Sequence, residues 1–381
     1  MYVARLASSS APAGRQCVPF TMAPGLWLLP VVLLVHQPEV DAAGFGRQAP
    51  VRADHAAVEQ LISEIVGNMT VAEKARELDT TEGINFLTNG ACNESKSAAW
   101  LAGMGIGRIH DLYATDPAVT NAVQKQVTQA SRFGIGAIMG EECTHGYQKD
   151  GHTMFPAPIG SAASFDPELL GEVGAAIGRE ARGFGTTECW SPIMGLAREP
   201  RWGRMNEEFG EDTLLASRLG AAMISGMQCH GDLSNASAVS SLMKHFALYS
   251  VPENGLNDAP ARKGRREVES EYLPVFAAGV AAGAQGVMPS YNSIDGIPVA
   301  SDKWLLTDTL RTEWGFDGVA MGDFGAIGRL QGAHHVAANP NDCVAQYLNA
   351  GGNQKGSDID IEAPVINVWV ALMTARVQSL Q

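Results

Sequence analysis

Residues 134–146 read GIGAIMGEECTHG, a short β-rich run (134–139) that ends in a cluster of carboxylates, a thiol and an imidazole. The same grammar recurs along the chain. Strand-like runs at 105–110 (GIGRIH), 186–193 (TTECWSPI), 239–246 (VSSLMKHF), 285–290 (QGVMPS) and 318–322 (GVAMG) nearly all stop at polar or aromatic residues. Between them lie stretches of helical period. The clearest opens with Asp166 as N-cap and Pro167 at the first helical position, then sets Leu170, Val173, Ile177, Ala181 and Phe184 on one face. Further helices are expected at about 211–228, 265–282, 303–314 and 340–349. Alternating strands and helices imply a parallel sheet wrapped by helices. Polar residues gathered at strand ends imply a barrel whose site lies at the C-terminal face. The fold expected is α/β, a TIM-type (β/α)8 barrel, with irregular or incomplete closure left open.

Composition bounds the function. With 381 residues, 45% hydrophobic, 18% charged, 42 Gly and 19 Pro, the chain is globular and loop-rich. A net charge of −14 repels phosphate backbones and anionic lipid, so nucleic acid is excluded as the expected partner. The strongest apolar run, 26–35 (LWLLPVVLLV), is too short for a membrane span and contains Pro30. Preceded by Arg5 and Arg15 and followed by the small-residue pattern at 40–42, it reads as a signal-peptide core, with residues 1–42 as signal peptide and leader. The bland alternative is a buried N-terminal helix or strand. Sequons at Asn68, Asn93 and Asn235 fit a secreted, glycosylated surface. Removal of Cys17 would leave Cys92, Cys143, Cys189, Cys229 and Cys343, an odd number. Export would permit disulfides among them, with the pairing open and at least one thiol left over. No pair has CxxC spacing and His334-His335 has no partner cluster, so no metal site is expected and the bland reading is small buried apolar cysteines.

The mixture at the strand ends suits a sugar, whose hydroxyls want carboxylates and cations while its ring faces stack on aromatics. No phosphate-cradling GxxxxGK[ST] is present. The motifs are more specific than the mixture. GEECTHG with Glu142, residues 197–204 (AREPRWGR) followed by 207–212 (EEFGED), Lys244-His245-Phe246, and 314–318 (WGFDG) with 322–325 (GDFG) occur in this order. From about residue 58 to about 350 the chain closely resembles the barrel domain of glycoside hydrolase family 3, with its β-glucosidase and β-xylosidase branches in view.

The resemblance implies retaining hydrolysis of β-glycosidic bonds, foremost a β-glucosidase, with Asp323 as nucleophile and a glycosyl-enzyme intermediate. It implies that Glu142, Arg198, Lys244 and His245 grip sugar hydroxyls, that Tyr291 steadies the nucleophile, and that the ring of Phe324 follows it in the binding site. The cations are expected to lower the Asp323 pKa. Arg201 and Arg204 with Glu207 or Glu208 read as a structural ion-pair network, and Trp202 as core beneath it. The partner implied is a β-linked oligosaccharide or an aryl or alkyl β-glycoside, with no cofactor; the oligomeric state stays open.

Three departures matter. Gly322 stands where the family usually has Ser before the nucleophile, and Glu199 where Asp is commoner. Residues 43–365 are read as the barrel domain and 366–381 as a helix closing it, which leaves no room for the second α/β sandwich domain that supplies the family's acid/base carboxylate. The alternative histidine loop of single-domain relatives is absent too, because Lys244-His245-Phe246 continues as ALYSVPE. Glu141 and Glu253 are the nearest carboxylates in sequence, and the acid/base is assigned to neither. The alternatives kept open are a sugar-binding barrel or fragment lacking its acid, and a lyase or aldolase with Lys244 as Schiff-base lysine.

Overall fold

The computed structural model describes residues 55–356, so the expectations for 1–42 and 366–381 fall outside the described residues. Seven parallel strands form one curled sheet: β1 (Thr80–Glu82), β2 (Arg108–His110), β3 (Ile138–Glu141), β4 (Glu188–Cys189), β5 (Ser240–Phe246), β6 (Gly286–Pro289) and β7 (Val319–Ala320). Each pairs with the next in chain order. All six runs expected from sequence contain strands. β1 was not anticipated, since Thr80-Thr81-Glu82 is too short and polar to stand out.

The eighth stave has no strand signal at all. Gln354 bridges Met321 in parallel, with Gly322 N–H donating to the Gln354 carbonyl at 2.9 Å. On the far side its amide reaches the Glu77 carbonyl at 3.3 Å, and Lys355 pairs with Asp79 at 2.9 Å. A polar, Gly-rich segment thus joins β7 to the entry of β1 through side chains, which hydropathy cannot reveal.

Strand parity sorts the side chains. Ile138, Trp190, Leu242, Met288, Val319 and Met321 fill the barrel, with half-buried Phe324 packed on them. The intervening residues, such as Met243 and Val287, face the helical layer.

The helix Pro167–Gly183 forms as its pattern requires. The Asp166 carboxylate accepts the Leu169 N–H at 3.1 Å, and Leu170, Ile177 and Ala181 are buried. Each large apolar side chain so buried contributes about 1.5–3 kcal/mol. The neighbouring helix Thr213–Met227, capped by Asp212, packs so closely that a Cβ on Gly174 would lie 2.4 Å from the Met223 carbonyl oxygen, and one on Gly226 2.0 Å from that of Gly171. A larger residue at either position would prise the pair apart. The helix expected at 265–282 is interrupted: Arg265–Glu267 and Leu273–Ala281 flank a π-helical turn, Val268–Tyr272. Pro274 explains it, because proline has no N–H to donate and its ring displaces the preceding turn. Residues Trp304–Glu313 are likewise π-helical.

The sequence left the pairing of the cysteines open. Cys143 and Cys189 form a disulfide. The parallel pairing of Glu141 with Cys189 sets the two strand ends side by side, a proximity that a separation of 46 residues hides. Among the described residues no helix is long and apolar enough to cross a membrane, and no group of three or more His, Cys, Asp or Glu could hold a metal ion.

Candidate active site

The C-terminal ends of β3, β5, β6 and β7 converge on Asp323. This residue lies three positions beyond β7 and is 8% exposed. Its Oδ1 accepts two hydrogen bonds, from the Tyr291 hydroxyl at 2.8 Å and from the Phe324 N–H at 2.7 Å. Its Oδ2 lies 3.7 Å from His245 Nε2. One oxygen is therefore anchored by two donors, while the other faces the mouth groups.

Burial pushes the Asp323 carboxyl above the ordinary aspartate range. Lys244, the Tyr291 and Phe324 hydrogen bonds, and Arg204 pull it down. The cations act in the direction expected from sequence, but desolvation outweighs them, which corrects the expectation of a lowered pKa. Burial, then Lys244 and Arg204, hold His245 well below the usual histidine range, so it is neutral at neutral pH. Its Nδ1 is buried without a hydrogen-bond partner among the described residues.

Lys244 is buried at the end of β5, and its Nζ donates to Glu142 Oε1 at 2.5 Å. Parity separates the two neighbouring glutamates. Glu142 meets Lys244 in the mouth, whereas Glu141 points outward and accepts the N–H groups of Leu112 and Tyr113, both at 2.9 Å. Glu141 is therefore no candidate for the acid. Glu253 sits on an exposed loop with Arg262 at 3.1 Å. The ion pair with Glu142, which a Schiff-base lysine would have to give up to attack a carbonyl, argues against that reading of Lys244.

The arginine motif folds differently from its expected use. Arg198 does not reach Asp323: its Nε donates to the Glu211 carbonyl at 2.9 Å, its Nη1 pairs with Glu271, and its guanidinium lies over the Tyr272 ring. Those partners belong to the helical layer and draw the side chain outward. Arg201 makes a forked pair with Glu199, at 2.8 and 2.7 Å. Arg204 is the one that enters the mouth. It pairs with Glu207 at 2.9 and 2.6 Å, lies 3.4 Å from His245 Nε2, and exerts its charge on Asp323. Sequence reading placed Arg204 in a structural network and missed this. Three arginines in eight residues carry no local signal that distinguishes them. Trp202 is core, as expected, 3% exposed with its Nε1 on Asn257 at 2.9 Å. Phe324 packs down on the barrel filling, 4.6 Å from the His110 ring and 5.4 Å from that of Trp190.

A buried carboxylate with one anchored oxygen, beside a lysine, an arginine, a neutral histidine and a tyrosine, can attack an electrophilic carbon and bind several hydroxyls. The comparisons agree with that chemistry. The family model described as the glycosyl hydrolase family 3 N-terminal domain matches residues 70–363. The chain is 33% identical over 336 residues to the periplasmic beta-glucosidase of Salmonella typhimurium, covering 87% of this chain and 42% of that protein. It is 33% identical over 334 residues to a putative beta-xylosidase of Formosa agariphila, covering 85% and 44%. Among solved structures, the beta-glucosidase from Listeria innocua in complex with isofagomine superposes with a TM-score of 0.74 at 30% identity, covering 84% of this chain and 43% of that one. The chain thus spans less than half the length of the relatives it matches.

Proposed function

The chain belongs to glycosyl hydrolase family 3, and from that premise we propose that it carries the sugar-binding and nucleophilic half of a retaining β-glycosidase, with β-glucosides as the first substrate class. The observation that carries this reading is the anchored carboxylate: Asp323 Oδ1 held by Tyr291 and the Phe324 N–H, with Oδ2 turned toward His245. Oδ2 attacks the anomeric carbon while the aglycone oxygen departs with its electron pair, and water later releases the sugar. Lys244 and Glu142, fixing one another, grip one edge of the ring, and Arg204 and His245 another. The support for these roles, and for setting Tyr291 and Phe324 around the bound sugar, is the geometry at Asp323 together with the family motifs. Arg198 is left out of the sugar's contacts. No acid/base is assigned: a retaining pair stands about 5–5.5 Å apart, and Glu141 faces away.

We place the protein in a secretory compartment. The support is the signal-like run at 26–35, a relative named as periplasmic, and a disulfide at Cys143–Cys189 that wants an oxidising milieu. Of the sequons, Asn235 is exposed on the loop before β5, and we take it as the first glycan acceptor.

The test uses the full chain with 2,4-dinitrophenyl 2-deoxy-2-fluoro-β-glucoside, whose leaving group departs without an acid. Intact mass and peptide mapping are expected to show one glycosyl adduct, on Asp323. No adduct with this reagent or its xyloside analogue would overturn the nucleophile assignment and favour a sugar-binding barrel.

A further inference from the structure

Three consecutive barrel connections meet above Asp323. The loop after β5 carries Tyr249 and Asp258, the loop after β6 carries Tyr291, and the segment after β7 carries Arg329 on the short helix Arg329–Gly332. Arg329 Nη1 pairs with Asp258 Oδ2 at 2.7 Å, and its guanidinium carbon lies 4.3 Å from the Tyr291 ring centroid. Asp258 is held from its other side, where Oδ1 accepts the Tyr249 hydroxyl at 2.8 Å and the Asn257 amide at 3.0 Å. It also adopts a φ of 69°, a left-handed conformation that persists only where surroundings impose it. Beneath the cation, the Tyr291 hydroxyl donates to the nucleophile at 2.8 Å.

We propose that Arg329, seated by Asp258 on the face of Tyr291, is a positioning residue for the nucleophile: it aligns the phenol and strengthens its hydrogen bond to Asp323. This rests on Asp323 being the nucleophile, as read above. The ring face is the negative end of the aromatic quadrupole, so a cation there is attracted, fixes the ring plane, and draws electron density from the phenol oxygen. The O–H becomes a better donor to a carboxylate. A half-exposed ion pair of this kind adds little to folding stability, so its effect is on orientation.

The groups bearing on Asp323 are Lys244 and His245 from β5, Arg204 from the loop after β4, and Tyr291. Tyr291 in turn faces Tyr249 and Arg329, with His334 Nε2 on its carbonyl at 2.8 Å, and Asp258 pairs with Arg329 and Tyr249. Loss of the Arg329 cation weakens the donor to the ionised carboxylate, so Asp323 takes up its proton at higher pH.

The experiment is labelling of the full chain by the same dinitrophenyl 2-fluoroglucoside, followed from pH 4 to 8. In the step observed, the Asp323 Oδ2–C1 bond forms as the C1–O bond breaks, and dinitrophenolate leaves with the electron pair, so no proton transfer masks the nucleophile. Arg329→Met is expected to slow labelling about tenfold and to move the acid limb upward by about half a pH unit, with the melting temperature nearly unchanged. Arg329→Lys is expected to recover part of both. Asp258→Asn, which keeps the shape of the seat, is expected to give the same shifts at smaller size and serves if Arg329→Met does not fold. Wild type that never labels overturns the nucleophile reading, and this inference with it. Wild type that labels, with Arg329→Met and Asp258→Asn matching its rate and acid limb, overturns the positioning role alone.

Discussion

Two clusters of charge occupy the barrel, one at its mouth and one within it. Inside, Arg108 pairs with Glu188 and donates to Gln354 Oε1 at 2.8 Å, while the Trp190 Nε1 donates to the same glutamate at 3.0 Å. At the mouth, Lys244, Arg204, His245 and Asp323 are also largely buried, but only one Asp323 oxygen is anchored and the cations are braced by Glu142 and Glu207 around it. The inner cluster is sealed: Arg108 and Gln354 are 0% exposed. Glu142 and Arg204 keep about a third of their side chains open. Burial of charge therefore does not mark a site. What marks it is buried charge beside partners that stay partly open to solvent, as Glu142 and Arg204 do.

The sharpest way to break that contrast is at Asp323, the proposed nucleophile. Asp323→Asn is expected to lower labelling or hydrolysis about 10⁴-fold or more, with sugar binding, read by calorimetric titration, retained. In the inner cluster the same kind of change should act on folding. Arg108→Met is expected to destabilise by about 3–5 kcal/mol in urea unfolding, because Glu188 is left buried and unpaired, and Arg108→Met/Glu188→Leu should regain most of it. If the single variant were neutral, the inner pair would not be the sealed structural element described. Next in size, Arg204→Met is expected to weaken labelling about 100-fold, while Arg198→Met leaves it within about twofold. The reverse order would return the sugar-gripping role to Arg198.

The smallest effect concerns pH. Burial pushes Glu77 up to about 7 and Glu141 and Glu208 up to about 8. In the folded chain they keep their protons at pH values where the unfolded chain has lost them, so stability falls as pH rises from about 5 to 8. The melting temperature should be higher at pH 5.5 than at pH 8, and Glu141→Gln should flatten the difference. Glu73 and Glu199, both pulled to about 2 by arginine hydrogen bonds, lose their contribution only below the usual carboxylate range and do not cancel this trend.

Much of this was legible beforehand where the information is local. Asp166 before Pro167 and the spacing of Leu170, Ile177 and Ala181 announce a capped amphipathic helix because helix geometry repeats within a few residues. Asp323 after a β run and Lys244-His245 at the end of another are legible for the same reason. The Gln354 stave was not, since its bonds to Glu77, Arg108 and Ala320 span up to 277 residues and run partly through side chains. Nor was the Cys143–Cys189 bond, or the raised Asp323 pKa, which depends on how many atoms surround the carboxyl rather than on which residues adjoin it.

By itself, then, the sequence determined the alternation of strand and helix, the strand ends where polar residues collect and the place of Asp323 among them, because periodicity and short motifs are properties of neighbours along the chain. Only the tertiary structure decided which of three arginines enters the mouth, which of two adjacent glutamates faces Lys244, and that Asp258 and Arg329 meet over Tyr291. Those choices depend on parity, curvature and desolvation, which exist only once the barrel has curled.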